Sequence, residues 1–179
     1  MYLCREPKDV LVSKWVFMSK LREKDLPPLN LDEAFDLFCR GISDFGPFWE
    51  HVLSYWRASL ESPDKILFLR YEEVKKQPEV VVRKLAAFMG KPFTAEEVET
   101  GVVEKIVELC SFENLSNLEV NKKGVWKFGK LMDVDNRHFF RKGENGDWKN
   151  YLSEEMKQRI DGITNEKLKD SGLILGTSN

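Results

Sequence analysis

The sequence predicts an α/β fold in which a parallel sheet is flanked by helices. Two continuous apolar runs, MYLC at 1–4 and ILFL at 66–69, read as strands buried on both faces, the pattern of a parallel sheet. Between and after them lie segments whose apolar residues recur at helical spacing, bounded by proline, glycine and capping residues. Only these two strands stand out, and both are apolar enough to be central. Since two strands alone are marginal, the sheet is expected to lack partners and the domain, residues 1–179, to be incomplete. A strand that begins at residue 1 sharpens that expectation, because the opening half of the domain would precede Met1.

Each element has its own local signal. After MYLC, Arg5-Glu6-Pro7 turns the chain into a helix with the stripe Leu11, Val12, Trp15 and Met18. A proline-rich break at Asp25 to Leu29 ends it, and Asn30 with Glu33 caps a second helix that stops at Gly41. Pro47 opens a third, whose Trp49, Leu53, Trp56 and Leu60 recur at helical spacing and are assigned to the core. Ser62-Pro63-Asp64 precedes the second strand. Pro78 then starts a helix with Val82, Leu85, Ala86 and Met89 inward and Gly90 as its stop. Thr94 and Glu97 form a capping box for a helix along Val98, Val102, Ile106 and Leu109. Residues 119 to 139 are polar and aperiodic, read as a long loop and a candidate lid or binding segment. Ser153 caps a last helix through Met156, Ile160, Ile163 and Leu168 to Gly172.

Composition narrows the function classes. The 179 residues are 42% hydrophobic and 12% aromatic, which suits a globular domain. A formal net charge of −2 supplies no field for nucleic acid or an anionic membrane, so any anion site has to be local. Cys4, Cys39 and Cys110 lie far apart without CxxC spacing, which suits a reducing compartment, the cytoplasm by default, and argues against a metal site. No apolar run reaches the roughly 18 residues of a membrane span.

Two stretches carry chemistry. In RKGENGDWKN, 141–150, Gly143 and Gly146 allow a positive φ or a close backbone approach, Arg141 offers a planar donor fork and Lys142 a point charge, a combination that suits an anion. Read alone, it suits equally a solvated turn whose tryptophan enters the core. In CREPKDVLVS, Arg5 follows a strand and Ser13 lies on the next helix. Ligands of parallel sheets gather beyond the carboxyl ends of the strands, so Arg5, Ser13 and helix amides make a candidate phosphate clamp.

Together these stretches resemble the cytosolic sulfotransferase family, in its plant flavonoid and steroid type branch. The resemblance runs through YLCREPKDVLVSKW, PFWEHVLSYW, KILFLRYEEVK, LCSFENLSNLEVN and FFRKGENGDWKN, essentially the whole chain. It implies a P-loop-like parallel sheet and transfer of a sulfuryl group from 3′-phosphoadenosine 5′-phosphosulfate to a hydroxyl of a small acceptor. By resemblance Arg5 and Ser13 hold the donor's 3′-phosphate, and Arg141, Lys142 and Gly143 form a second clamp on the same group. Tyr71, Ser111 and Phe112 match positions that contact the adenosine portion, with Phe112 packed on adenine; otherwise Tyr71 is a strand-end residue and Phe112 core. The resemblance also marks what these residues lack: the family's PKSGTTW-like phosphate loop, with the lysine that neutralises the leaving oxygen, and its catalytic histidine. The chain therefore reads as the carboxyl-terminal portion of such an enzyme, with no catalytic residue assigned. His51 and His138 match no catalytic position. Where some members carry a KxxxTVxxxE dimer motif, Ser153, Glu154 and Gln158 stand at the Thr, Val and Glu positions, which argues against dimerisation by that motif. Phe17, Phe45 and the 119–139 segment are the candidates for an apolar acceptor lining. Two other readings stay open: a truncated, inactive relative that keeps only the 3′-phosphate half-site, and a helical scaffold that binds proteins through its aromatic faces.

Overall fold

A computed structural model describes residues 1–23, 25–128 and 132–176. In chain order the elements are β1 (Tyr2–Cys4), α1 (Pro7–Leu21), α2 (Leu31–Cys39), α3 (Phe48–Glu61), β2 (Phe68–Arg70), α4 (Tyr71–Lys76), α5 (Pro78–Phe88), α6 (Ala95–Glu99), α7 (Val102–Leu109), α8 (Phe112–Asn117), α9 (Glu119–Lys123), β3 (Val125–Phe128), β4 (Met132–Asp135) and α10 (Glu154–Leu168). Short 3₁₀ turns cover Asn136–Phe139 and Asp147–Asn150. The α/β class holds: β1 and β2 pair in parallel, Tyr2 opposite Phe68 and Cys4 opposite Arg70, flanked by helices. The second strand lies two residues later than its apolar run implies.

The chain forms two compact units, Met1–Val74 with Asn145–Asn179, and Lys75–Glu144. In the first unit one cluster joins Leu11, Val12, Phe35, Phe38, Trp49, Trp148, Leu152 and Ile160. Another joins Cys4, Val52, Leu168, Leu173 and Leu175, with Tyr2, Trp56 and Phe68 against it. The indoles bury their rings and still satisfy their N–H groups, as buried tryptophans must. Trp49 Nε1 donates to Thr164 Oγ1 at 2.9 Å and Trp56 Nε1 to the Ser171 carbonyl at 2.9 Å. The expected caps are present: Asn30 accepts from the amides of Asp32 and Glu33, and Ser153 from that of Met156. On α3 the stripe is displaced, because Val52 is fully buried whereas Leu60 is 60% exposed.

In the second unit the Thr94–Glu97 capping box is complete, but the helix it starts is not continuous. Gly101, at φ +72°, separates α6 from α7, and the turn rotates the stripe so that Val103 is buried while Leu109 is exposed. Met89 is likewise exposed, since it is the carboxyl cap of α5; Ala86 is the buried residue of that helix. The segment 119–139 is not a structureless loop: it holds α9, an antiparallel β3–β4 hairpin and a 3₁₀ turn, with residues 129–131 outside the described ones. Period-based reading misses it because the elements are too short to show a period. Asn136 secures the hairpin base, its side-chain amide donating to the Val120 carbonyl at 2.9 Å and its backbone amide to that of Gly124 at 2.9 Å. Gly143 has φ +64°, and a Cβ there would stand 2.5 Å from Cδ2 of Phe112. Gly146, in the first unit, also has a positive φ of +82° but open space beside it.

These differences set two expected outcomes in chemical denaturation. Ile160→Ala, at a fully buried site, should cost about 2–5 kcal/mol, whereas Leu60→Ala on the expected stripe of α3 should stay within about 0.5 kcal/mol. Gly146→Ala should lose about 1–2 kcal/mol from left-handed strain alone. Gly143→Ala should lose about 1–3 kcal/mol more, because the Phe112 ring has to move.

Candidate functional site

The carboxyl ends of β1 and β2 lead directly into helices, which concentrates charge there. Arg5 is the first residue after β1, and its guanidinium lies over the Tyr71 ring, 4.4 Å from the centroid. Its Nη2 is 3.6 Å from Asp9 Oδ2. Tyr71 is half-buried and opens α4. Ser13, half-buried, lies on α1 one helical turn beyond Asp9 and on the same face. Of the residues predicted in this unit, the structure therefore brings Arg5 and Tyr71 into contact and sets Ser13 on the helix that follows.

The polar groups under this end are buried, and sequence reasoning missed them. Glu6 caps α1, accepting from the Lys8 amide at 3.3 Å, and its own amide donates to Glu72 Oε1 at 2.8 Å. Lys8 ion-pairs with Glu6 at 3.2 Å and with Asp161 of α10, and lies 4.9 Å over the Trp148 ring. Burial pushes the Glu6 carboxyl above the usual carboxylate range, with Lys8 opposing, and raises the Cys4 thiol to about 12. Asp9, 1% exposed, accepts from the amides of Gly146 at 2.7 Å and Trp148 at 3.1 Å. The one signal in the sequence was an acidic pair around Pro7, and helical periodicity ranks such residues as solvent-facing. Among the described residues, Arg70 Nε and Glu72 Oε2 are buried without hydrogen-bond partners.

In the second unit Ser111 caps α8, its Oγ accepting from the Asn114 amide at 3.1 Å. Phe112 is half-buried, edge-on to Phe140 at 5.8 Å, and the Gly143 backbone is seated against its ring. Arg141 is half-buried and Lys142 exposed. Here Phe112 and Gly143 are neighbours, a closeness that only a glycine permits.

The remaining candidates occupy other places. His51 Nδ1 is 2.9 Å from the Tyr2 hydroxyl, beside Tyr55, while His138 Nε2 lies 3.9 Å from Asp135. Phe17 is half-buried and Phe45 is 85% exposed. At the expected dimer-motif positions Ser153 is the α10 cap, and Gln158 donates to Glu154 at 3.3 Å. Among the described residues no helix is long and apolar enough to cross a membrane, and no group of three or more His, Cys, Asp or Glu could hold a metal ion.

Comparisons with known proteins agree on one family. The flavonol 3-sulfotransferase of Flaveria bidentis is 50% identical over 174 residues, covering 97% of this chain and 56% of that protein. Cytosolic sulfotransferase 1 of Arabidopsis thaliana is 53% identical, covering 96% of this chain and 51% of that one. The chain thus spans about half the length of the curated relatives it matches. Among solved structures, the mouse sulfotransferase SULT7A1 complexed with PAP superposes with a TM-score of 0.74 at 26% identity, covering 96% of this chain and 58% of that one. A retinol dehydratase in a complex with retinol and PAP gives a TM-score of 0.77 at 28% identity, covering 98% and 49%. The sulfotransferase domain model matches residues 1–172, and the chain belongs to the sulfotransferase family.

Proposed function

We propose that the chain is the part of a sulfotransferase that binds the adenosine and 3′-phosphate end of 3′-phosphoadenosine 5′-phosphosulfate. The whole protein, in this reading, transfers the donor's sulfuryl group, without a metal, to a hydroxyl of a small acceptor such as a flavonoid, steroid or other phenol, in the cytoplasm. Dimerisation by the KxxxTVxxxE motif is not part of it. The observation that carries the reading is Arg5, held at the carboxyl end of a parallel strand against the Tyr71 ring. A planar, permanently charged fork at that place suits a phosphate, which it can meet with two parallel hydrogen bonds.

The residues fit such a ligand. Arg5 and Ser13 supply a cation and a hydroxyl in the first unit; Arg141 and Lys142 supply cations in the second. Tyr71, Ser111 and Phe112 serve the adenosine, Phe112 offering a ring face for adenine, and Gly143 lets backbone lie where any side chain would displace that ring. The donor supplies the reactive sulfuryl group; what these residues do is bind and orient it. Support also comes from the flavonol sulfotransferases at about half identity and from the PAP complexes among the structural neighbours. The second reading, that these residues by themselves keep only the 3′-phosphate end and do not turn over, is favoured by the lack of a PKSGTTW-like segment in the 179 residues.

Calorimetric titration separates a phosphate site from a structural turn. Arg141→Ala should weaken adenosine 3′,5′-bisphosphate by about 2 kcal/mol, roughly thirtyfold, and scarcely affect adenosine 5′-monophosphate. Arg141→Lys should recover part of the loss. Equal weakening of both nucleotides would make RKGENGDWKN a structural turn. For turnover, the chain should be compared with a chimaera carrying the amino-terminal half of the Flaveria relative: flavonol sulfation by the chimaera alone supports both readings together, and sulfation by the chain alone overturns the second.

A further inference from the structure

We propose that Asp9 is the positioning residue that orients Arg5 for a 3′-phosphate, an inference that rests on the nucleotide reading above. Asp9 stands in the first turn of α1 and is 1% exposed. Its Oδ2 accepts from the Gly146 amide at 2.7 Å and faces Arg5 Nη2 at 3.6 Å; its Oδ1 accepts from the Trp148 amide at 3.1 Å. Two amide donors, one on each oxygen, fix a buried carboxylate in a single rotamer. The charge so fixed lies on one side of the Arg5 guanidinium, and the Tyr71 ring lies 4.4 Å from it. At 3.6 Å the Arg5–Asp9 pair acts by charge rather than through a donated hydrogen bond.

The consequence is entropic. An arginine side chain loses rotamer freedom when it is ordered. If Asp9 orders Arg5 during folding, a phosphate meets a fork already aimed and avoids that cost on binding. Asparagine cannot do the same work. Its oxygen would accept from one amide, but its NH₂ would confront the other amide donor, and the charge beside Arg5 would be gone. The carboxylate also ties Gly146, three residues beyond Gly143, to the helix that carries Ser13. Asp9 thereby links the arginine to the end of RKGENGDWKN without itself touching the nucleotide.

The test is selectivity, which a purely structural tie would not alter. The 179-residue protein and Asp9→Asn, each checked for an intact fold by circular dichroism, are titrated with adenosine 3′,5′-bisphosphate and with adenosine 5′-monophosphate. The substitution should cut the preference for the bisphosphate roughly tenfold while changing monophosphate affinity less than twofold. Should Asp9→Asn not fold, hydrogen exchange in the wild type decides: the bisphosphate, and not the monophosphate, should slow exchange of the Gly146 and Trp148 amides. A preference that survives in folded Asp9→Asn, or exchange at both amides that ignores the bisphosphate, overturns the role of Asp9 alone. A wild type with no preference between the nucleotides overturns the nucleotide reading, and this inference with it.

Discussion

A carboxylate buried to 1% exposure, as that of Asp9 is, has to be met by donors. The amides of Gly146 and Trp148 meet it from 137 and 139 positions away, and the order of the first unit follows from that closure. Gly146 adopts φ +82°, which turns its N–H toward the carboxylate, and the 3₁₀ turn that follows drives the Trp148 ring into the cluster of Leu11, Val12 and Ile160. Lys8 then lies over that ring and reaches Asp161. One buried charge thus sets a tryptophan, a lysine and the seat of the last helix.

The same region is where the sheet ends, and the two facts are connected. Parallel strands that stop at Cys4 and Arg70 hand the chain to helices whose first turns carry Glu6, Asp9 and Glu72. Acidic residues are favoured at helix amino termini by the dipole, and here one of them, Asp9, stands beside Arg5. A carboxylate at 3.6 Å, itself satisfied by two amides, and an aromatic face at 4.4 Å both bear on the Arg5 guanidinium.

The second unit solves a different problem with short elements. None of α6 to α9 exceeds eight residues, so each depends on a cap or a neighbour rather than on its own propensity. Thr94 with Glu97, Ser111 with Asn114, and Asn136 against Val120 supply those supports. The Gly143 backbone against Phe112 adds a contact of backbone with ring.

What the sequence by itself determined is what depends on neighbours along the chain. Two apolar runs of strand length implied a parallel pair; Asn30, Thr94 and Ser153 were legible as caps because a cap is defined within four residues; and RKGENGDWKN with CREPKDVLVS carried the family resemblance. What depends on distant covering was decided by the tertiary structure. Leu60, Met89 and Leu109 sit at plausible inward positions and are exposed, because a stripe is buried only where another element covers it, and because Gly101 turns the helix axis beyond what a period can report. Segment 119–139 looked aperiodic because its hairpin and turns are shorter than any period they could display. Asp9 is the plainest case: an aspartate in a helix's first turn reads as a solvated dipole partner, and only the return of Gly146 and Trp148 makes it a buried acceptor, since their amides belong to a part of the chain that no local pattern connects to it.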